Sequence, residues 1–366
     1  MAGCLATYVH HIDPYAIKLV EGGPIRWYAV SYLVGFVLAY LLMRRVIRVG
    51  ISTIDLARVA DMVVYLALGV MIGGRLGYVL FYQPSLIIEF SGHVPFWGLL
   101  ALNQGGMASH GGMIGVIIAC FIYALRHRHR VTHVLDLAAF ATPIGLFFGR
   151  IANFINAELY GRACSPNLPW AVKFPQEIST WSLAKMPLLG PAFEAMGEPA
   201  DEWQALVERS SLDRTAAETV YAMLDRLVAV ATGALDASES VRTALEPLLT
   251  PRHPSQIYQA LLEGLAVFAV LLVVWLRPRK PCVIGGMMLL SYGIMRVIGE
   301  CFRQPDEHIA DMEWELLHIT RGQLLSIPVI LAGLVLVWHF SRKPNPLMGG
   351  WWWRQEGDER AVRSEQ

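Results

Sequence analysis

Charge is scarce in this sequence, and what there is cancels. Asp, Glu, Lys and Arg make up 16% of the 366 residues, thirty acidic against thirty basic, where an ordinary soluble domain carries about 25%. Hydrophobic residues reach 55% and the mean hydropathy is +0.43, so the chain has too little polar surface to cover itself in water and most of it is expected to face lipid. The lack of net charge argues against a nucleic-acid binder. Cysteines are few: Cys4, Cys120, Cys164, Cys282 and Cys301 form no CxxC pair and no cluster with histidine, which excludes a disulfide scaffold and a zinc site as first readings. Also missing are a GxSxG elbow, a phosphate-binding P-loop and an HExxH helix, so serine hydrolase, NTPase and zinc protease chemistry find no support. Residues 1–26 hold no apolar stretch preceded by positive charge, so no cleavable signal is expected and the first span is retained. Ala2-Gly3-Cys4 has the look of a lipoprotein cleavage box, but nothing hydrophobic precedes it. No repeat of fixed period is visible.

Long apolar runs are what the chain has instead. A bilayer core needs about 20 apolar residues per helix, and seven runs qualify: Trp27–Met43, Val59–Phe81, Gly106–Leu125, Val134–Asn156, Ile257–Leu276, Val283–Phe302 and Gln323–Phe340. The expected fold is therefore all-α, a polytopic membrane protein with seven transmembrane helices. The loops after spans one, three and five carry ten Lys or Arg, among them Arg44, Arg45, Arg128 and Lys280, while the opposite segments carry four. The positive-inside rule then puts the N-terminus outside and the C-terminus, with Arg342 and Lys343, in the cytoplasm. Near that end, Trp351-Trp352-Trp353 reads as an interfacial anchor. His127, His129 and His133 fall in a basic cytoplasmic loop with no carboxylate or thiol ligand nearby, and read as solvated rather than metal-binding.

Residues 176–250 break the pattern, with twelve acidic residues against five basic ones. No run there reaches membrane length. Val220, Met223, Leu224, Leu227 and Val228 follow helical i, i+3, i+4, i+7 spacing, so short amphipathic helices are expected in an extracytoplasmic helical insert. The chain divides accordingly into an outside N-terminal segment (1–26), spans one to four (27–175), the acidic insert (176–250), spans five to seven (251–340) and a cytoplasmic tail (341–366).

Ionisable groups inside a span cost roughly 2.5–3.5 kcal/mol each at the helix centre, so clusters of them mark sites. Span four ends in Gly149-Arg150-Ile151-Ala152-Asn153-Phe154-Ile155-Asn156-Ala157-Glu158-Leu159-Tyr160-Gly161-Arg162. Helical spacing puts Arg150, Asn153 and Ala157 on one face. Span six aligns Tyr292, Arg296 and Glu300 by steps of four, and span three opens with Ser109-His110-Gly111-Gly112. All lie toward the outer half of their spans. Paired arginines and glutamates can simply staple a bundle, but polar groups from three helices at one depth favour a site. Arg75, in Gly73-Gly74-Arg75-Leu76-Gly77, either snorkels or binds phosphate. His110, with an ordinary pKa near 6.5, is a candidate proton acceptor; the two glycines after it admit a lipid head group or another backbone. Two guanidiniums at one membrane depth suit an anionic phosphate. The residues alone thus point to a protein that handles an anionic lipid or solute at its outer face, and a transporter or flippase would use the same arginines.

The stretch 149–161 resembles the signature of the prolipoprotein diacylglyceryl transferase family, G-R-x-x-N-F-x-N-x-E-x-x-G. Arg26-Trp27-Tyr28, Gly73-Gly74-Arg75-Leu76-Gly77-Tyr78, His110-Gly111-Gly112, Arg252-His253-Pro254-Ser255-Gln256-Ile257-Tyr258, Tyr292-Gly293-Ile294-Met295-Arg296 and Arg303-Gln304-Pro305-Asp306 resemble it in the same order. Ala152 stands where the family pattern has glycine, and the 176–250 segment is longer than usual. The resemblance implies a bacterial inner-membrane enzyme that moves the diacylglyceryl group of phosphatidylglycerol onto the lipobox cysteine of a preprolipoprotein, forming a thioether and releasing glycerol phosphate. On that reading the substrate supplies the nucleophile, and Cys164 and Cys301 are inert. Arg150 and Arg296 would clamp the phosphate, His110 would be the base with Glu158 and Glu300 as rivals or orienters, and Asn153, Asn156 and Tyr292 would position the head group. Tyr28, Gly161 and Arg75 join as substrate-binding positions. No metal or other cofactor is called for, since two guanidiniums balance the leaving phosphate.

Overall fold

The computed structural model describes residues 7–19, 23–92, 95–101, 105–235, 238–304 and 320–351. The Ala2-Gly3-Cys4 box, Pro305-Asp306 and Trp352-Trp353 lie outside the described residues. The chain is mostly helical, and six helices are long and apolar enough to cross a membrane: Trp27–Val49, Leu56–Phe81, Val131–Ile155, Ser255–Val274, Val283–Glu300 and Gly322–Arg342. The third expected span is a shorter apolar helix, His110–Arg126. Large apolar side chains stand exposed in register along these helices, as with Ile114, Ile118, Phe121, Ile122 and Leu125, or Leu331, Leu334, Val335 and Trp338. Such stripes are untenable in water and ordinary against lipid. This is a multi-pass membrane protein.

In chain order the long elements are α1 (Trp27–Val49), α2 (Val59–Phe81), α3 (Ser109–Arg126) and α4 (Val131–Ile155). Short helices α5 (Gly190–Glu194), α6 (Ala200–Ser210), α7 (Arg214–Thr232) and α8 (Glu239–Leu245) follow. The fifth apolar stretch is α9 (Ser255–Gln259), one widened π turn over Ala260–Ala266, and α10 (Val267–Val274). Last come α11 (Val283–Glu300) and α12 (Arg321–Arg342). Two small ladders add to the helices: β1 (Tyr8–Val9) pairs parallel with β4 (Val172–Lys173), and β2 (Tyr15–Leu19) pairs antiparallel with β3 (Gly23–Arg26). The hairpin runs straight into α1, where Trp27 Nε1 donates to Asp13 O at 3.1 Å.

The chain forms two compact units. One comprises 33–146, 263–295 and 325–366. Its core joins Met43 and Val46 of α1, Val59 and Met62 of α2, Cys120 and Tyr123 of α3, Leu137 and Phe140 of α4, and Leu271 and Trp275. Helices α2 and α3 touch backbone to backbone. A Cβ on Gly73 would strike the Gly111 carbonyl, and one on Gly115 the Gly69 carbonyl, the small-residue packing by which membrane helices associate. The second glycine-rich element of the sequence, Gly111-Gly112, thus admits another backbone. Asp136 of α4 accepts the N–H groups of Cys282 and Gly285 at 2.8 and 2.7 Å, capping the start of α11 from a neighbouring helix, where the first N–H groups have no partner of their own. His133, expected in a solvated loop, is instead fully buried in the first turn of α4, 2.9 Å from Ser52 Oγ.

The other unit comprises 1–32, 147–262 and 296–324. Within it α5–α8 gather around a core of their own: Phe193, Trp203, Val207, Val220, Leu224 and Leu227 are buried together. Trp203 Nε1 donates to Met186 O at 2.8 Å. The helical spacing read between Val220 and Val228 is the buried face of α7, with Met223 and Val228 at its edge. Asp213 starts that helix by accepting the Thr215 N–H at 2.9 Å, the preferred way to satisfy an orphan donor of the first turn.

Candidate active site

The signature stretch does not stay helical to its end. Helix α4 stops at Ile155, and Ala157 and Leu159 both take left-handed backbone, φ 53° and 54°. Alanine and leucine rarely sit there, because Cβ meets the carbonyl. Two such residues two apart form a strained turn of the kind found at functional sites. Ala157 therefore leaves the helical face expected for it with Arg150 and Asn153. The turn holds Glu158 out between the two residues, with its N–H donating to Asn153 O at 2.9 Å.

Three elements of the same unit fix Glu158. Tyr28, in the first turn of α1, donates from its hydroxyl to Oε2 at 2.5 Å. Asn153, the last polar residue of α4, donates its amide to that same hydroxyl. Gln256 of α9, fully buried, donates to Glu158 O at 2.7 Å, and Ser255 Oγ donates to Leu159 O at 3.0 Å. Ser255 and Gln256 were quoted in the sequence only as part of a motif; their buried hydroxyl and amide hold the turn's carbonyls. Asn156 has both side-chain polar atoms buried, beside the Tyr28 hydroxyl. Arg150 lies half-buried on α4 just before the turn.

Beneath the turn the loops are laced together. Gly161 N–H donates to His253 O at 3.1 Å and Arg162 N–H to Phe302 O at 2.9 Å. A Cβ on Gly161 would run into the His253 and Phe302 carbonyls, so this position is glycine because two backbones meet on it. Arg252 reaches Glu177 Oε2 from Nε at 2.8 Å, and the Thr250 N–H donates to the other carboxylate oxygen at 2.8 Å. The Arg252 guanidinium also lies over the Tyr160 ring at 4.7 Å. Glu177 is almost wholly buried. Neither Arg252 nor Glu177 was singled out from the sequence, because nothing in their spacing links residues 75 apart.

Glu300, at the end of α11 and 4% exposed, sits between two arginines: Arg296 Nη2 at 3.0 Å and Arg303 Nη1 at 3.8 Å. Gly322 closes on its carboxylate, leaving no room for a Cβ. The unit thus brings together Tyr28, Asn153 and Glu158, and separately Arg296, Glu300 and Arg303. The remaining expected residues belong to the other unit. His110 is exposed in the first turn of α3, and Tyr292 packs on the core of that unit. Arg75 is 5% exposed and gives four hydrogen bonds to carbonyls: Nε to Leu99, Nη2 to Gly98, Nη1 to Gly105 and Gly106, at 2.5–3.1 Å. Gly105 and Gly106, both left-handed at φ 79° and 78°, turn those carbonyls inward, so Arg75 pins the loop that leads into His110.

Outside the spans, burial sets the titration of two groups. His10, wedged between Phe154 and Phe174 with ring centroids at 5.3 and 5.4 Å, is lowered by desolvation to about 4. Burial pushes the Cys164 thiol up, against the pull of Arg252, which leaves it a poor thiolate.

A bundle of apolar helices with Tyr28, Asn153 and Glu158 gathered at a strained helix end, and Arg296, Glu300 and Arg303 gathered separately, belongs to the class of multi-pass membrane enzymes rather than passive scaffolds. The family model for prolipoprotein diacylglyceryl transferase matches residues 14–339. This chain belongs to that family. Among its relatives, the phosphatidylglycerol--prolipoprotein diacylglyceryl transferase of Bdellovibrio bacteriovorus is 43% identical over 346 residues, 94% of this chain and 97% of its own. The proteins of the same name from Stenotrophomonas maltophilia and Rhodospirillum rubrum are 36% and 35% identical, each over 92% of this chain and over 95% and 94% of their own lengths.

Proposed function

We propose that this protein transfers the diacylglyceryl group of phosphatidylglycerol to the lipobox cysteine of bacterial preprolipoproteins. The cysteine sulfur attacks the glyceryl carbon that carries the phosphate, the carbon–oxygen bond breaks, and glycerol phosphate leaves with the electron pair. The thiol proton passes to a base. The product is a thioether. What supports the reading is the near full-length family match over residues 14–339, together with the held carboxylate of Glu158.

The chemistry assigns the roles. A free thiol has a pKa of about 8.5 and reacts as thiolate, so a proton acceptor is needed; His110, exposed in the first turn of α3, is the imidazole candidate, with Glu158 and Glu300 as the carboxylate candidates. Charge grows on the phosphate as it leaves, and preorganised guanidinium groups stabilise it best; Arg150 and Arg296 fill that role. Asn153, Asn156 and Tyr292 bind the head group, and Tyr28 orients Glu158. Gly161 shapes the turn beside them, and Arg75 holds the loop before His110. In the bacterial inner membrane the chain crosses seven times, counting His110–Arg126, with its N-terminus outside and C-terminus in the cytoplasm. The segment 176–250 then stands on the extracytoplasmic side between spans 27–175 and 251–340, and 341–366 forms the cytoplasmic tail.

The test is purified protein with phosphatidylglycerol and a lipobox peptide, read by mass spectrometry. The peptide cysteine gains the diacylglyceryl mass. A peptide of unchanged mass overturns the assignment, and movement of lipid between leaflets without that gain replaces it with transport.

A further inference from the structure

One cleft in the unit that carries the signature turn touches the scheme above only at its edge, through Asn156 and Glu158. Its volume is about 390 Å³, and its polar lining comes from the β2–β3 hairpin (Arg26), the signature turn (Asn156, Glu158), Gln176 and α7 (Asp225). Pro14 and Tyr15 from the hairpin side, and Val228, Ala229, Thr232, Ala234 and Leu235 along and just after α7, complete the wall. We propose that this cleft binds the extended polypeptide main chain beside the acceptor cysteine of the protein substrate, so that α7 forms one wall of the peptide site. The inference rests on the transferase reading, and extends it to the second substrate.

The lining decides the ligand. The Oε1 of Gln176 is buried without a hydrogen-bond partner. A buried acceptor left unpaired is costly, so a donor entering the cleft relieves that cost. An amide oxygen accepts an N–H, which a peptide main chain supplies at every residue but proline and which neither a phosphate nor an acyl chain carries. Beyond the turn the cleft offers a phosphate no net positive charge, because Glu158 and Asp225 line it with the single guanidinium of Arg26. Glu158 lines the cleft and belongs to the strained turn, so a peptide held here lies against the residue that Tyr28 orients. Extended peptides are commonly gripped in this way, through main-chain hydrogen bonds with side-chain pockets in between.

The full-length protein in phosphatidylglycerol-containing micelles is titrated into a fluorescein-labelled lipobox peptide whose cysteine is replaced by serine, so that binding is read without turnover. Ala229→Trp fills the cleft from α7, and Asp225→Lys reverses an exposed charge on its wall. Each should weaken peptide binding by about tenfold, equivalent to 1.4 kcal/mol, while the KM for phosphatidylglycerol in the transfer assay stays at the wild-type value. Peptide affinity unchanged in Asp225→Lys overturns the proposal, and so does a raised lipid KM with unchanged peptide affinity. Should Ala229→Trp lower the melting temperature, Asp225→Lys decides alone. A wild-type protein that binds the peptide through this cleft but transfers no lipid would retire the transferase reading and leave the peptide site standing.

Discussion

The hydroxyl of Tyr28 and the carboxylate of Glu158, 130 residues apart in sequence, meet at 2.5 Å. The contact joins the first turn of the first long helix to the strained turn after the fourth, and Asn153 donates to the same hydroxyl. One phenol thereby sets the orientation of a carboxylate and an amide at once.

Tyr28→Phe removes that hydroxyl while keeping the ring. Hydrogen bonds to charged groups contribute about 1.5–3 kcal/mol, so the rate of peptide lipidation should fall about 10- to 100-fold, with membrane insertion and melting temperature close to wild type. Timed mass spectrometry of the lipobox peptide checks it. An unchanged rate would make Tyr28 an interfacial aromatic and nothing more.

Arg150→Ala and Arg296→Ala should each abolish measurable transfer, since electrostatic stabilisation of a leaving group accounts for about 10²–10³ of rate per donor group. Arg296→Ala also leaves Glu300 facing Arg303 alone, so a melting curve must accompany the assay. Folded protein with retained turnover in both variants would remove the phosphate clamp.

His110→Gln keeps the size and polarity of the exposed side chain and deletes its basicity. If His110 takes the thiol proton, the acid limb of the rate–pH profile disappears and the rate drops about 10²-fold or more. Retained activity with an unchanged profile gives the proton to a carboxylate instead.

Arg252→Ala should lower stability by about 3–5 kcal/mol, because it strands the buried carboxylate of Glu177. Pairing it with Glu177→Leu should recover part of the loss, since no unpaired charge then stays inside. Thermal unfolding of the three variants reports this directly. The effect on lipidation should follow the folded fraction.

Stability should also depend on pH through His10. Burial lowers its pKa to about 4, against about 6.5 in the unfolded chain, so the folded state favours the neutral ring. Above about pH 6.5 both states hold it neutral and stability is flat. As pH falls from about 6.5 to 4, the unfolded state binds the proton first and stability declines, by up to about 3 kcal/mol. Below about 4 the folded ring protonates too and the decline levels off. Replacing His10 with Phe should flatten that part of a denaturation–pH curve.

Much of the fold was legible because lipid imposes a coarse rule, a long apolar run for each crossing. The seven runs read from sequence lie within or close to the observed apolar helices. The finer geometry was not legible, for three separate physical reasons. Helical spacing carried Ala157 onto the face of Arg150 and Asn153, but the helix ends at Ile155 and no residue type announces left-handed alanine or leucine. Arg75 read as either a snorkelling or a phosphate-binding side chain, whereas its partners are main-chain carbonyls, which every residue possesses and no sequence pattern marks. The hairpin Tyr15–Leu19 with Gly23–Arg26 lies within residues 1–26, which the sequence marks only as an outside N-terminal segment. Five residues pairing with four give too short a period-two signal to stand out. The amphipathic pattern around Leu224 was readable because a small water-facing core obeys the usual helical period.

The glycine contacts between the second and third long helices carry a consequence for traffic. Gly69, Gly73 and Gly77 press against Gly111 and Gly115 with main chains touching, and a fatty tail needs a gap several ångströms wide to slip sideways between helices. That seam is shut. Any doorway through which a two-tailed lipid arrives from the bilayer, or through which the newly greased polypeptide departs, must open along a different pair of helices.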